Sequence, residues 1–144
     1  MPQPSPLAQT VNDLLSALAA PVAVLVLHLM RVLFLTEYHE LDMLMHFLGG
    51  ASILVMGLIL GIRLRRRGLI PVDLPPWLAA FALIGLVGLV GIFWEFFEFV
   101  TDYAAQTQAQ GGLKDTISDL ALDLMGGMSA LLAAPWFGRR ISNK

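Results

Sequence analysis

The chain has 144 residues, 57% of them apolar and 14% charged, with a mean hydropathy of +0.73. Soluble domains average about 45–50% apolar and about 25% charged. This much apolar surface on so short a chain excludes an ordinary soluble enzyme, a disordered chain and a basic nucleic-acid binder. A formal net charge of −2 gives no field to recruit an anionic partner, and the absence of cysteine removes disulfides, thiolate metal sites and a Cys nucleophile. What remains is a small integral membrane protein.

A membrane-spanning helix needs about 20 largely apolar residues at ~1.5 Å each. Four segments meet or approach this: 14–35, 42–62, 76–100 and 115–137. The expected fold is all-α, a single polytopic transmembrane domain over 1–144 with four spans. The first segment reads as a retained helix rather than a signal peptide. No Lys or Arg precedes it in 1–15, and its small residues, 16–20, come before the long apolar run. Pro75 and Pro76 suit the start of the third helix, where a missing N–H costs nothing. Gly111 and Gly112 mark a turn before the fourth, and 103–112 reads as the longest outer loop.

Lys and Arg set the orientation. Arg63, Arg65, Arg66 and Arg67 follow the second span, and Arg139, Arg140 and Lys144 follow the fourth. With four spans these regions share one side, expected to be the cytoplasm, so both termini are expected there. Trp77 and Trp136 fall near the inner interface and Trp94 near the outer one.

The acids depart from a plain bundle. The apolar run 124–137 is only about 21 Å long as a helix, short of a ~30 Å bilayer core. Completing the span draws in the turn holding Asp123, and with it Asp119. A carboxyl group at membrane depth costs about 2.5–3.5 kcal/mol at a helix centre and normally faces the bundle interior. At about 100° per residue, Glu95, Glu98 and Asp102 share an arc of ~60°, and Asp115, Asp119 and Asp123 one of ~80°. Asp42 and His46 are one turn apart on one face. Gly49, Gly88, Gly91 and Gly126 continue these faces inward, and small residues let membrane helices approach closely. The simplest arrangement turns the three faces together, with a glycine floor beneath a carboxylate/His pocket open to the outer side.

Seven carboxylates and one imidazole cannot all be charged and unpaired there. Protons, the neighbouring Lys114, Arg31 or His28, or a bound cation must compensate. Asp, Glu and His without Cys suit a divalent cation: Zn, Mn, Fe, Ca or Mg. The candidate metal ligands are Asp42, His46, Glu95, Glu98, Asp102, Asp115, Asp119 and Asp123. The plainer reading is strongest for Asp42, Asp102 and Asp115, which suit helix capping or solvation. His28 and Arg31 suit a pairing role, and Glu37, His39 and Glu40 a solvated loop. The Arg cluster suits a topology signal, and the aromatic run 93–99 lipid-facing packing. No nucleophile elbow, phosphate loop, dinucleotide fingerprint or zincin helix is present, so neither nucleotide nor flavin is expected and no reaction is assignable.

The segments LDMLMHFLGGASI, WEFFEFVTD and GLKDTISDLALDLMGG, spanning roughly 42–127, resemble the VanZ-like and YjdF-like group of small bacterial inner-membrane proteins. In that group one span opens with an Asp and a His-Phe pair, matched here by Asp42, His46 and Phe47. A later span ends in a Glu-rich stretch, matched by Glu95, Glu98 and Asp102, and the next carries an Asp-Thr-x-x-Asp motif and a Gly, matched by Asp115, Thr116, Asp119, Asp123 and Gly126. The VanZ pattern carries an Arg before its last acidic helix and an Asn within it. Lys114 and Asp123 stand at the nearest places here, which favours the YjdF-like side, although this chain is shorter than usual for that side. The resemblance implies a place in the cell envelope and names no reaction.

Three functions follow as expectations. The first is a divalent-cation site that acts on or recognises an envelope lipid or phosphate group. The second is a structural or accessory subunit whose acids form a hydrogen-bonded helix lock. The third is a proton- or cation-coupled transport component acting as an oligomer. Expected partners are membrane lipids and either a second copy or a larger membrane complex, with no nucleic acid.

Overall fold

The computed structural model describes residues 5–34, 39–70, 75–106 and 110–142, with backbone only for Pro6, Val32, Leu33, His39 and 135–142. Leu35, Glu37 and Lys144 lie outside the described residues, as do the side chains of His39, Trp136, Arg139 and Arg140. Four helices follow in order: α1 (Pro6–Phe34), α2 (His39–Arg66), α3 (Pro76–Ala105) and α4 (Leu113–Ser142). All four are long and apolar enough to cross a membrane, the shortest qualifying stretch being Leu113–Ala134. Its 22 residues extend about 33 Å, enough for a ~30 Å core.

Local signals set the helix ends. α1 begins well before the expected 14 because Ser5 caps it: the Ala8 N–H donates to Ser5 Oγ at 3.2 Å, with Pro6 at the first helical position. α2 ends in a Schellman motif. Gly68 adopts φ 69°, its N–H donates to the Arg65 carbonyl at 3.0 Å, and the Leu69 N–H donates to the Leu64 carbonyl at 3.0 Å. α3 starts at the expected Pro75–Pro76 pair, and the N–H groups of Leu78 and Ala79 donate to the Pro75 carbonyl. It runs on through 103–105, which the sequence reading placed in the loop, and stops at Gln106 in a left-handed conformation.

α2 is the central helix, packed on α1, α3 and α4; α4 also packs on α3. The helices run alternately up and down. Asp42, His28, Trp94 and Asp119 come together at one end, called here the site end, and the arginines 63–67 lie at the other. α1 is the peripheral helix, fixed to α2 near both ends. At the site end Arg31 Nη1 lies 2.9 Å from Asp42 Oδ1. At the arginine end Asp13 pairs with both Arg63 and Arg67, and Arg67 also donates to Thr10. Two of the four arginines read as a topology signal, Arg63 and Arg67, therefore also hold α1 in place.

Burial is inverted relative to a soluble domain. Among the described residues, the buried apolar side chains are Ala17, Leu54 and Val87, while eight polar or charged residues are buried. Large apolar residues such as Phe81, Phe93 and Leu132 face outward. A soluble protein buries its apolar residues and exposes its charges. Here hydrocarbon is the natural solvent of the outer face, and the interior is left to small and polar groups.

The closest helix approach is between α2 and α4. A Cβ at Gly50 would overlap the Asp123 carbonyl, and one at Gly126 the Phe47 carbonyl. The expected glycine floor thus takes the form of a backbone crossing. Gly126 belongs to it, and Gly50 replaces its neighbour Gly49 as the tight position on α2.

Candidate metal centre

The α2–α4 crossing carries the site. His46, two turns into α2, sits between two carboxylates of α4. Its Nδ1 lies 3.6 Å from Asp123 Oδ1 and its Nε2 lies 3.8 Å from Asp119 Oδ2. The four-residue spacing of Asp119 and Asp123 stacks them on one helix face, so one imidazole meets both. Asp42, one turn before His46, completes a three-residue group. Asp42, His46 and Asp119 each offer one ligand atom, and these atoms lie within 4.8 Å of one another. Ligands bonded to a cation at ~2.1 Å are about 3.4 Å apart along a tetrahedral edge and about 4.2 Å when opposed. The His46 Nε2–Asp119 Oδ2 distance of 3.8 Å already falls between these two spacings.

All three are buried, as are Glu95, Glu98, Asp123 and His28. Asp119 and Asp123 lie six and ten residues into α4, about 9 and 15 Å along its axis. Polar atoms at this depth require partners. Several have none among the described residues: His46 Nε2, Asp119 Oδ1, both carboxyl oxygens of Glu95 and Arg31 Nε. Asp42 Oδ1 meets the Arg31 guanidinium at 2.9 Å, but outside hydrogen-bond angles. Five buried carboxyl groups face at most three cationic side chains, Arg31, His28 and His46. Even with both imidazoles protonated, at least two negative charges would need protons or a cation.

Glycine fits α3 and α2 against this acid. A Cβ at Gly91 would stand 2.6 Å from Asp123 Oδ2, and one at Gly49 would stand 3.7 Å from Asp123 Oδ1. α3 adds a second layer. The Trp94 Nε1–H donates to Glu98 Oε1 at 2.9 Å, and the indole stands edge-on to His28 with ring centroids 5.0 Å apart. Trp94 was expected at the outer interface with its aromatic neighbours. Phe93, Phe96, Phe97 and Phe99 do face outward. Trp94 turns inward because Glu98, four residues on, offers its indole N–H an acceptor.

Five sequence candidates fall outside the three-residue group: Asp123, Glu95 and Glu98 are buried with it, whereas Asp102 and Asp115 lie near the helix ends and bond backbone. Asp102 Oδ2 accepts the Gln110 N–H at 2.9 Å, and Asp115 Oδ2 accepts the Gly111 N–H at 2.9 Å. Both tie down the segment between α3 and α4, the capping alternative weighed for them. Two further residues belong to the neighbourhood. Arg31 and His28 both approach Asp42, His28 Nδ1 at 3.9 Å. Their three-residue spacing at the end of an apolar span is the sequence signal for that pairing. Asp13 carried no such signal, because its partners are 50 and 54 residues away.

Beneath the cluster lies a cavity of about 220 Å³ between α1, α2 and α3. His28, His46, Trp94 and Asp123 line one end; Pro21, Val24, Leu25, Ile53, Val87 and Val90 line the rest.

The sequence profile of the family described as "Predicted membrane protein (DUF2238)" matches residues 28–140. The chain belongs to this family. With four helices of spanning length, it is a multi-pass membrane protein carrying a buried acid/His group able to hold a metal ion. No curated protein and no solved structure matches the chain.

Proposed function

We propose that this DUF2238 protein binds a divalent cation through Asp42, His46 and Asp119 and uses it to recognise a phosphate-bearing group of an envelope lipid. The carrying observation is the setting of His46. Nδ1 faces Asp123 while Nε2, unpartnered, faces Asp119 beside Asp42. A metal-binding His commonly donates its other ring N–H to a carboxylate, which fixes the tautomer and orients the ring. Asp123 fills that role, and Asp42, His46 Nε2 and Asp119 are the ligands. Three protein ligands leave positions for an outside oxygen. Arg31, which meets Asp42 through Nη1 and keeps a buried, unpartnered Nε, places a guanidinium suited to phosphate beside the group. The ligand set suits Zn, Mn or Fe most closely. The VanZ-like and YjdF-like resemblance and the arginine distribution support a place in the bacterial inner membrane, with both termini and the arginine end cytoplasmic.

A second reading has its own observation. Arg31–Asp42 and His46 between Asp119 and Asp123 also form a polar lock joining α1, α2 and α4. Mn²⁺ binding to metal-stripped protein, followed by electron paramagnetic resonance, separates the two. The cation reading predicts one ion per chain, lost in Asp119→Asn and His46→Gln. The lock predicts no bound ion and only reduced stability in the same variants.

A further inference from the structure

The cavity between α1 and α3 has a composition that the metal site does not explain. Its apolar part is walled by Pro21, Val24, Leu25, Ile53, Val87 and Val90. A buried water needs two to four polar partners. The hydroxyl at the apolar end, Ser52 Oγ, already donates to the Gly49 carbonyl at 2.8 Å. An apolar cavity of about 150 Å³ stays dry and admits benzene, so about 220 Å³ admits roughly nine carbons on the same ratio. The slot lies between two helices whose outward side chains, Val22 and Val26 on α1 and Leu89 and Ile92 on α3, are exposed apolar surface. Hydrocarbon is therefore the neighbouring phase. At its other end the slot meets His28, His46 and Asp123, and Arg31 follows one turn beyond His28 on α1.

We propose that this cavity receives the end of one hydrocarbon chain of a phosphate-headed membrane lipid, whose headgroup lies at the Arg31/His46 end. This deepens the cation reading by giving the lipid's hydrocarbon chain a seat, and rests on that reading for the headgroup alone. The two parts meet at His46, which lines the cavity and belongs to the cation-binding group: the apolar walls take the tail, and the cation-binding group, with Arg31 one turn beyond His28, takes the phosphate. Held at both ends and bridged to α3 through the His28–Trp94 contact, α1 is the helix past which a chain would enter from the bilayer.

Trp94 lines the cavity and reports on it. The chain has three tryptophans, so in a Trp77→Phe/Trp136→Phe background Trp94 is the emitter. In unbrominated detergent, a single-chain lipid with a phosphate monoester head and bromines along its chain is titrated in, with its neutral monoacylglycerol counterpart in parallel. The expected result is saturable quenching of Trp94 by the phosphate lipid. Binding should weaken at least tenfold for the neutral counterpart and at least tenfold in Val24→Phe or Val90→Phe, which fill the slot. Circular dichroism and metal content verify that each filled variant is folded, and Leu25→Phe replaces one that is not. Quenching that rises linearly, or that persists in folded, filled variants, overturns the proposal. Equal binding of the neutral lipid overturns the headgroup assignment. Absent quenching with a Leu25→Cys variant cross-linking between copies assigns the slot to a second copy and also overturns it. Metal bound without saturable quenching leaves the cation reading standing. Saturable quenching in protein that binds no metal contradicts that reading and not the chain site.

Discussion

Gly126→Ala is the most informative small change in this bundle. The added Cβ would overlap the Phe47 carbonyl oxygen, stand 2.8 Å from the Phe47 carbonyl carbon and reach 3.1 Å from the Ala51 nitrogen. All three atoms are α2 backbone, so no side chain can swing away. The helices must separate by about an ångström or more, in the manner of overpacked cores, which lose about 1–3 kcal/mol. The better helix propensity of alanine returns up to about 1 kcal/mol. Separation also forfeits dispersion along the α2–α4 interface, the main packing surface of α4. The net loss expected is about 2 kcal/mol, about 30-fold in the folded-to-unfolded ratio. Equilibrium unfolding by sodium dodecyl sulfate in mixed micelles measures it. Gly61→Ala and Gly85→Ala serve as controls, because a Cβ there meets nothing within 4 Å. They are expected to be neutral or to gain up to about 1 kcal/mol. Wild-type stability in Gly126→Ala, or equal loss in Gly61→Ala, would refute the crossing as the organising contact.

Three further outcomes follow from the same geometry. Asp123→Asn should weaken cation affinity by about 10–100-fold, the usual effect of losing the carboxylate behind a His ligand, while Asp42→Asn and Asp119→Asn should abolish binding; competition against a metallochromic dye measures all three. Trp94→Phe removes the donor to Glu98 Oε1 and should cost about 1–3 kcal/mol for a buried acceptor left unpaired, read by the same detergent unfolding. Asp13→Asn breaks a half-exposed clasp to Arg63 and Arg67. It should cost about 1 kcal/mol or less and increase the distance between spin labels on α1 and α2 at the arginine end.

Much of this architecture was legible because a membrane restricts the choices. The four helices follow from apolar length, and the α3 start from Pro75–Pro76. The shared faces of Asp42 with His46 and of Asp119 with Asp123 follow from helical periodicity. Periodicity gives a face but not its depth or partner. The helix-end positions of Asp102 and Asp115, not periodicity, were the signal for their bonds to the backbone before α4, and the same signal grouped with them Asp42, which is buried against Arg31 in the three-residue group. Nor did periodicity choose between Gly49 and Gly50, adjacent positions of which one meets a side-chain oxygen and the other a backbone carbonyl. The inward turn of Trp94 depends on its bond to Glu98, and the Asp13 clasp joins residues 50 or more apart. Such pairings arise only once tertiary packing brings distant turns together.

The central claim is a cation held by Asp42, His46 and Asp119. Elemental analysis of protein purified in metal-free detergent buffer, with thermal unfolding before and after EDTA, tests it most directly. The account predicts about one transition-metal ion per chain and a fall in melting temperature on chelation, restored by adding back that metal. No metal, and a melting temperature unmoved by EDTA or by added Zn²⁺, Mn²⁺, Fe²⁺, Mg²⁺ or Ca²⁺, would contradict it and leave the acid/His cluster as a structural lock.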